Sequence, residues 1–356
     1  MSRDNHRPGF FSRWFHEEPS HGLISTIMWL GMLVVLVLMA ARMVPASMAS
    51  GRMIPELVSF VPFAVLPTLA VVVLAFLFHR RFLTVVSAVC LVILVSWHIG
   101  YFLPRHPLSP EATQATSIST GTSPNTQDNV VRVMTVNTLH GGASAAQIVA
   151  TVREQKVEVL ALQEVTPSML NDLKNAGIYQ VLPHYVFGAS GQWDNGGTNV
   201  LFSVVQMDDQ NTNLLPIETS SMPAGDLTLG GKAVRFVSAH PNSPHKGGQG
   251  LWSEGLGTIQ SLAGYDHSYV IMGDFNATWD HARFRELLGD TFVDAGEQAG
   301  EGFHMSYPAN SKIPPMIEID HIVYTKGSGI RVGNLQNVEI AGTDHKALLA
   351  TLEVTA

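Results

Sequence analysis

The most restrictive feature of this chain is a set of three long apolar stretches in its first hundred residues. They cover Leu23–Ala41, Leu57–Phe78 and Phe82–Leu103, and none of them contains a formally charged residue. A helix of about 20 residues is long enough to cross the hydrocarbon core of a bilayer. One cleaved signal peptide could account for the first stretch, but not for all three. We therefore predict three transmembrane helices within a membrane anchor at residues 1–103.

Basic residues flank these stretches unequally, and the bias predicts an orientation. Three arginines precede the first stretch, and Arg80 and Arg81 fill the turn between the second and third. Arg42, Arg52 and Arg105 lie on the opposite side. Because cytoplasmic flanks carry the excess of Lys and Arg, we expect the N-terminus inside the cell. Everything after the third stretch is then extracytoplasmic, and the protein is a multi-pass protein of the cell membrane.

The remaining residues divide into a linker and a domain. Residues 104–129 are rich in Ser, Thr, Pro and Gln, which predicts a flexible tether. Residues 130–356 are numerous enough to form a domain held by its own core. The net charge is +3 for residues 1–104 and −11 for residues 105–356. An acidic domain argues against sequence-independent binding to nucleic acid, although a bound metal would change the local sign.

Short β-branched runs alternate with a few amphipathic segments from Val130 onward. Many strands with few helices favour two packed sheets flanked by helices, although propensity alone leaves a parallel α/β sheet open. The only cysteine, Cys90, lies in the third apolar stretch, so neither an internal disulfide nor a Cys-based zinc site can form. The domain must therefore be stabilised by its hydrophobic core.

Polar motifs follow or end several of the apolar runs. They are Val136–Gly141, Leu162–Val165, Ser238–Pro241, Gly273–Ala277 and Thr343–His345, with Ile319–His321 between the last two. Residues at strand ends commonly build a site from distant parts of a sequence. Carboxylates suit a hard divalent cation, and imidazoles can contact a phosphate. The set predicts metal-assisted hydrolysis of a phosphoester.

The order of these motifs resembles the endonuclease/exonuclease/phosphatase superfamily, which includes pancreatic DNase, abasic-site endonucleases, inositol-polyphosphate phosphatases and bacterial sphingomyelinases. The resemblance covers residues from about 130 to 356. It implies a four-layer αββα sandwich, here preceded by the three transmembrane helices. It also implies cleavage of phosphate esters that depends on Mg²⁺, or on Mn²⁺ in its place.

The resemblance implies that three residues bind the metal. Glu164 ends an apolar strand, where a carboxylate is costly unless it is paired or metal-bound. It matches the principal Mg²⁺ ligand, Asn137 matches a residue that helps to bind the metal, and Asp344 completes the charge on that side. A surface Glu and a turn-forming Asn are the simpler interpretations. A histidine-based zinc site is the rival, but no HExxH or other i,i+4 helical pair supports it.

Five residues receive catalytic roles through the same resemblance. Asp274 and Asn276 are two apart, so their side chains point the same way in an extended segment. Asp274 matches the general base or water-positioning group, and Asn276 matches its orienting partner. His240 would stabilise the phosphoryl group or protonate the leaving oxygen. His345 would contact the phosphate, with Asp320 fixing its tautomer.

Four further residues have open roles. Asn199 lies where the superfamily pattern is not kept, and Trp193 is either a ligand-facing aromatic or a loop anchor. His245 and His321 fit a site or a structural position equally well.

The apolar stretches, together with Gly300–Pro308 and Pro314–His321, also resemble the VanJ-type membrane proteins of actinobacteria. This closer resemblance implies a cell-envelope substrate that carries a phosphodiester, pyrophosphate or phosphomonoester, such as a lipid-linked or glycolipid phosphate. The expected partners are therefore the lipid bilayer and that substrate, with nucleic acid less favoured. The alternatives are an extracytoplasmic metal-dependent endonuclease or exonuclease, and a non-catalytic envelope binding protein.

Overall fold

The computed structural model describes residues 22–49, 53–115, 124–189, 195–245 and 247–355. The chain divides into two compact units. The first consists of Met1–Met43 and Phe60–Ile99, and the second of Val44–Ser59 and Gly100–Ala356. The second unit therefore contains the segment between the first two apolar stretches as well as the C-terminal domain.

The first unit is helical and apolar. Its helices are Leu23–Met43, Val65–Leu77 and Arg81–His98, with a short 3-10 turn at Val61–Ala64. A second 3-10 turn covers Ile99–Phe102, where the division between the units falls. Residues such as Met32, Val71 and Leu94 form its core, while many large apolar side chains remain exposed on the outside. A helix that is apolar on every side is typical of a membrane span. Among the described residues, two helices, Leu23–Met43 and Arg81–Phe102, are long and apolar enough to cross a membrane.

The second apolar stretch is not the single helix that the sequence predicted. Met53–Val58 is a separate helix, a turn follows, and the apolar helix runs only from Val61 to Leu77. Pro62 lies at the start of the 3-10 turn, where its missing amide hydrogen costs no hydrogen bond, and such a residue marks a helix start. Three membrane spans are therefore not confirmed, because this helix is shorter than the other two.

Twelve strands occur in the described part of the second unit. They are β1 (Val130–Asn137), β2 (Val159–Val165), β3 (His184–Phe187), β4 (Thr198–Ser203), β5 (Asp208–Asn211), β6 (Ala224–Leu229), β7 (Lys232–Ala239), β8 (Tyr269–Asp274), β9 (Phe292–Asp294), β10 (Asp320–Thr325), β11 (Ile330–Glu339) and β12 (Lys346–Val354). The helices are Met53–Val58, Pro110–Ala115, Ala145–Glu154, Pro167–Ala176, Ile178–Val181, Gln249–Gln260, Ala282–Leu288 and Ala295–Ala299.

These strands form two six-stranded sheets. Their orders are β11-β12-β1-β2-β4-β3 and β5-β6-β7-β8-β10-β9. Two pairs are parallel, β1 with β2 and β7 with β8, and the other neighbours are antiparallel. Because parallel strands end at the same edge of a sheet, Asn137 lies near the end of β2, and Asp274 lies near the end of β7.

Alternating side chains build three layers of core. Val133 of β1, Phe236 of β7 and Met272 of β8 belong to the cluster between the two sheets. The outer face of the first sheet packs against Ala145–Glu154 and Pro167–Ala176, and that of the second against Gln249–Gln260 and Ala282–Leu288. Successive side chains of a strand point to opposite faces of the sheet, so they lie in different layers of the core. The arrangement of two stacked sheets covered by helices agrees with the prediction.

Local sequence explains where some of the helices begin and end. Pro167–Ala176 begins after Thr166, whose hydroxyl accepts a hydrogen bond from the amide of Met169, and Pro167 occupies its first position. It ends at Gly177, which adopts the left-handed conformation with φ of 91°.

The first part of the predicted tether packs on the second unit. Pro110–Ala115 is a short helix, and the amide of Ser109 donates to Glu353 over 2.8 Å. Arg105 forms an ion pair with Glu297. Residues 104–115 are therefore docked on the domain, where the sequence predicted a free linker, because their polar groups find partners there. Residues 116–123 of the predicted tether lie outside the described residues.

Candidate active site

Polar side chains from both sheets meet where the central strands end. Asn137 ends β1, Asp274 ends β8, and both side chains are almost fully buried. The amide nitrogen of Asn137 donates to Glu164 Oε1 over 2.9 Å and to Asp274 Oδ2 over 3.1 Å. One side chain thus connects the carboxylates of the two sheets.

The backbone around Glu164 is held in a costly conformation. Glu164, Leu139 and His140 have φ values of 58°, 48° and 50°, which are uncommon outside glycine. The amide of His140 donates to Glu164 Oε2 over 2.7 Å, and the amide of Leu139 donates to Asn137 Oδ1 over 2.9 Å. Gly196 packs against the carboxylate of Glu164, and a Cβ added at this glycine would lie 2.4 Å from Glu164 Oε2. Strain of this kind is typical of functional sites.

Asp274 is surrounded by hydrogen-bond donors and imidazoles. Its Oδ2 lies 3.5 Å from His240 Nε2 and 3.7 Å from His345 Nε2, and its Oδ1 accepts from the amide of Asn276 over 2.8 Å. Burial raises the pKa of Asp274, but His345, His240 and the Asn276 amide outweigh it and hold this pKa at about 2. Asp274 is therefore ionised at neutral pH.

His345 is held by the carboxylate of Asp320, which lies directly opposite Asp274 in the pairing of β10 with β8. Its Nδ1 donates to Asp320 Oδ2 over 2.8 Å, so its Nε2 faces the site. Burial lowers the pKa of His345, but Asp320 and Asp274 outweigh burial and raise it to about 10. The imidazole is therefore positively charged at neutral pH.

Gly273 permits the close approach that aligns Asp274 with His240. At this glycine an added Cβ would lie 1.9 Å from the carbonyl oxygen of Ala239, so no other residue fits without moving the strands. Asn276, with φ of 51°, orients Asp274 through its backbone amide, while its side chain donates to the carbonyl of Pro241 over 3.2 Å. Asn276 thus connects the segment after β8 with the segment after β7.

The donor set fits a divalent cation. Carboxylate oxygens of Asp274 and Asp320 lie within 4.8 Å of one another and of a ring nitrogen of His345, and this nitrogen could bind a metal only in the deprotonated imidazole. Asp320 Oδ1 and Asp344 Oδ1 are buried and have no hydrogen-bond partner among the described residues. Burial raises the pKa of Asp344, and Glu164 adds to this effect. A cation would relieve the repulsion between such carboxylates.

Asn137 is placed differently from a direct ligand. Its side-chain oxygen accepts the Leu139 amide, and its nitrogen faces the two carboxylates. In this arrangement Asn137 positions Glu164 and Asp274. Its predicted role as a metal ligand stays a prediction, as do those of Glu164 and Asp344.

Two site residues had no assigned role in the sequence. The side-chain nitrogen of Asn195 lies 3.2 Å from His240 Nε2. The ring centroid of Tyr307 lies 5.1 Å from that of His345. The Gly/Asn-rich loop before β4 was a signal for the first, whereas nothing local distinguished Tyr307 from a core tyrosine.

Three of the four residues with open roles are described by the structure, and these three fall outside the cluster of carboxylates and imidazoles. Asn199 is buried and donates to Ser220 and to the carbonyl of Ser221, which is a structural role. His245 is exposed, and His321 is fully buried, with its Nε2 donating to the carbonyl of Ala277 over 2.9 Å. Trp193 lies outside the described residues.

Comparison with known proteins agrees with this architecture. No curated protein sequence matches the chain. The structure of TDP2 from D. rerio with a single-strand DNA product superposes with a TM-score of 0.52 at 15% identity, covering 64% of this chain and 100% of that one. A humanized D. rerio TDP2 gives a TM-score of 0.51 at 13% identity, with 64% and 100% covered. Sphingomyelinase C from Streptomyces griseocarneus gives 0.46 at 17% identity, with 62% and 99% covered.

The two TDP2 structures, with TM-scores above 0.5, show a shared fold. The sequence model of the Endonuclease/Exonuclease/phosphatase family matches residues 134–345, which include each carboxylate and imidazole of the site. The chain belongs to the endonuclease/exonuclease/phosphatase family.

Proposed function

We propose that this protein is a membrane-anchored, divalent-cation-dependent phosphohydrolase whose site lies outside the cytoplasm. Its substrate would be a phosphoester or pyrophosphate of a lipid-linked or glycolipid envelope component. Members of the family are generally hydrolases that act on phosphoesters. The observation that carries the proposal is the buried convergence of Asp274, Asp320, His240 and His345 beside Glu164.

Each of these side chains has a task that its geometry supports. A cation bound by Glu164 and the neighbouring aspartates would supply charge to neutralise a phosphoryl oxygen. Asp274, with a pKa of about 2, is a weak base, so it would orient a water molecule more than take its proton. His345 carries a positive charge that would stabilise the developing charge on the phosphoryl group. His240 is placed to donate to an oxygen beside Asp274.

The chain order supports membrane anchoring with three crossings. Val44–Ser59 and Gly100–Ala356 belong to one compact unit, and under this proposal both would lie on the same side of the membrane. If Arg81–Phe102 crosses, the chain must also cross in the opposite direction between residues 60 and 80. Val61–Leu77 is the apolar helix available there, and its 17 residues are at the lower limit for a span. The first span, Leu23–Met43, precedes both.

The charge of the second unit supports a substrate other than nucleic acid. Residues 105–356 have a net charge of −11, and tight binding to a polyanion depends on neutralising its phosphates. A lipid-linked phosphate presents one or two charges at the membrane, and a membrane anchor raises its local concentration. The closer kinship to VanJ-type proteins belongs to this proposal and rests on sequence resemblance alone.

The test is hydrolysis by the full-length protein in detergent micelles. Three substrates would be compared with Mg²⁺ and with a chelator: polyprenyl pyrophosphate, sphingomyelin and single-stranded DNA. We expect Mg²⁺-dependent turnover of a lipid phosphate that Asp274→Asn abolishes and that salt changes little. Rapid DNA cleavage without lipid turnover would favour a nuclease. No turnover of any substrate, with an intact fold, would favour a binding protein.

A further inference from the structure

Residues 277–281, which follow Asp274 and Asn276, are buried along their whole length. A connecting segment normally runs over the surface, because water can then satisfy its backbone polar groups. In this segment protein groups do so. The amide of Thr278 donates to Nδ1 of His281 over 2.8 Å, so the imidazole folds back on the backbone of its own segment. The burial of residues 277–281 must therefore come from other parts of the chain that pack over them.

The first covering element is the helix Met53–Val58, which belongs to the same compact unit. Nε2 of His281 donates to the carbonyl oxygen of Pro55 over 3.0 Å, and both residues are buried. Burial lowers the pKa of His281 to about 4, so the imidazole is neutral and carries one proton. Because Nδ1 accepts from the Thr278 amide, that proton is on Nε2. His281 therefore ties residues 277–281 to a residue 226 positions earlier in the chain.

The second covering element is Tyr101, in the 3-10 turn Ile99–Phe102. Tyr101 belongs to the second unit, as does Trp279. The ring centroids of these two side chains are 4.7 Å apart, and both side chains are buried. The carbonyl of Tyr101 also accepts from the amide of Gly302 over 2.7 Å, which fixes the turn on the domain. Tyr101 thus packs on the middle of residues 277–281.

The hydroxyl of Tyr101 also reaches residues 277–281 through a chain of buried polar groups. It donates to Oδ2 of Asp294 over 2.9 Å, and the same oxygen lies 3.3 Å from Nδ1 of His321. The other ring nitrogen of His321 donates to the carbonyl of Ala277 over 2.9 Å. Tyr101, the most exposed of the four residues, is only 4% exposed, so water does not readily replace a lost partner. Loss of the hydroxyl would therefore weaken the whole chain of contacts.

Residues 277–281 act on the candidate active site through Asn276. The backbone amide of Asn276 donates to Oδ1 of Asp274 over 2.8 Å, and the residue has φ of 51°. A residue other than glycine stays in the left-handed region only where the surrounding structure holds it there. The next residue is Ala277, whose carbonyl is held by His321. Release of residues 277–281 would therefore allow Asn276 to leave this conformation and Asp274 to lose its donor.

We propose that Tyr101 and His281 are positioning residues that hold residues 277–281, and with them the amide of Asn276, so that Asp274 keeps its orientation. The proposal rests on the proposed function in one respect, because it assumes that Asp274 takes part in the reaction. Both contacts involve segments of the chain that precede the region matched by the family model. These segments are therefore part of the catalytic domain as well as connections to the apolar helices.

Hydrogen exchange in the full-length protein in micelles tests the positioning without any need for turnover. Mass spectrometry gives the exchange rate of the amides of residues 275–281. Tyr101→Phe removes the hydroxyl that donates to Asp294, and we expect these amides to exchange about tenfold faster, because a buried acceptor loses its donor. Tyr179→Phe is the matched control, since it removes the same atom from a partly buried tyrosine that packs on the other sheet. It should leave the exchange of residues 275–281 unchanged.

A second pair of variants isolates the contact with Pro55. In His281→Asn the side-chain oxygen can accept from the Thr278 amide, as Nδ1 does, but no donor reaches Pro55. In His281→Gln the longer side chain carries an amide nitrogen to about the position of Nε2, which restores the donor. We expect residues 275–281 to exchange about tenfold faster in His281→Asn and at close to the native rate in His281→Gln.

Turnover of bis(p-nitrophenyl) phosphate with Mg²⁺ gives a second readout. In Tyr101→Phe and His281→Asn, kcat should fall about tenfold with KM unchanged, because a misplaced Asp274 affects the transition state and not the binding of substrate. Native kcat in variants with faster local exchange would overturn the proposal. Exchange that rises equally throughout the domain would also overturn it, since that result shows a loss of global stability.

The exchange experiment also separates this proposal from the proposed function. Exchange in Tyr101→Phe that is as slow as in Tyr179→Phe would overturn the positioning role, whatever the turnover. If the native protein hydrolyses no phosphoester, the proposed function fails, and the exchange rates still decide whether Tyr101 and His281 hold residues 277–281.

Discussion

Nδ1 of His345 lies 2.8 Å from Oδ2 of Asp320, and this contact decides which ring nitrogen faces the site. The pKa of His345 is about 10 in the native protein, and the negative charge of Asp320 is the largest effect that raises it. Asp320→Asn removes that charge. We expect the pKa of His345 to fall by about one unit or more and turnover to fall about a hundredfold. NMR titration of the metal-free protein measures the pKa. An unchanged titration with reduced turnover would mean that Asp320 acts in another way, such as metal binding.

Glu164→Gln tests whether Glu164 binds the metal. Removing one carboxylate charge from the site should weaken Mn²⁺ or Mg²⁺ binding about tenfold or more, because oxygen ligands with a formal charge dominate the affinity. Calorimetric titration of the folded variant gives the affinity directly. Glu254→Gln, at an exposed position of helix Gln249–Gln260, is the control. Equal affinity in both variants would place the metal elsewhere.

Asp274 and His345 should behave as one unit. Their facing atoms are 3.7 Å apart, and each supports the charged form of the other. We expect Asp274→Asn and His345→Ala each to lower turnover by about two orders of magnitude or more. The double variant should be little worse than the worse single variant. Multiplication of the two losses would show instead that they serve independent steps.

The buried carboxyl of Glu158 should make stability depend on pH. Burial raises its pKa from an ordinary value of 4.5 to about 8, although the amide of Arg132 donates to it. The folded state therefore keeps a proton that the unfolded chain releases. The stability that this bound proton gives to the folded state is fully present below pH 4.5 and is lost as the pH rises toward 8.

Glu158→Gln removes that dependence. We expect its free energy of unfolding to exceed that of the native protein at pH 8, by up to about 5 kcal/mol, with little difference near the ordinary pKa of glutamate. Denaturant unfolding across this range measures the difference. Glu154→Gln, four residues earlier and exposed, should behave as the native protein does. A variant that is less stable than the native protein at pH 8 would show instead that the folded state uses the ionised carboxylate.

Membrane topology can be tested by cysteine labelling, since Cys90 is the only cysteine and is buried. Met48→Cys and Ile313→Cys place thiols at exposed positions of the second unit. Both should react with an impermeant maleimide in intact cells. Phe78→Cys, at the end of the apolar helix, should react only after permeabilisation. Labelling of Met48→Cys and Ile313→Cys from opposite sides would contradict a single compact unit.

Much of the two-sheet architecture was predictable because its central strands are strongly patterned. β1, β7 and β8 are β-branched runs that end in a polar motif, so both their position and the polar groups at their ends could be predicted. The edge strand β11 was not predicted. β11 contains Gly333, Asn334 and Asn337, and its pairing with β12 depends on partners distant in sequence.

Helix Gln249–Gln260 was missed for a different reason. Its three glycines disfavour a helix in isolation. Gly255 is nonetheless useful there, because an added Cβ would lie 2.9 Å from Pro241 Cβ. Tertiary packing therefore overrides propensity. Tyr307, whose ring lies beside His345, could not be predicted from local sequence either, since its role arises only from folding.

The segment between the first two apolar helices has a consequence for how the protein is made. Nε2 of His281 donates to the carbonyl of Pro55 over 3.0 Å, and the two residues are 226 positions apart. Pro55 is translated long before His281. On the proposed topology, both later apolar helices are inserted into the membrane before this contact can form, and closing so long a loop is slow. The contact between Pro55 and His281 would therefore form late in biogenesis, after the anchor is in place.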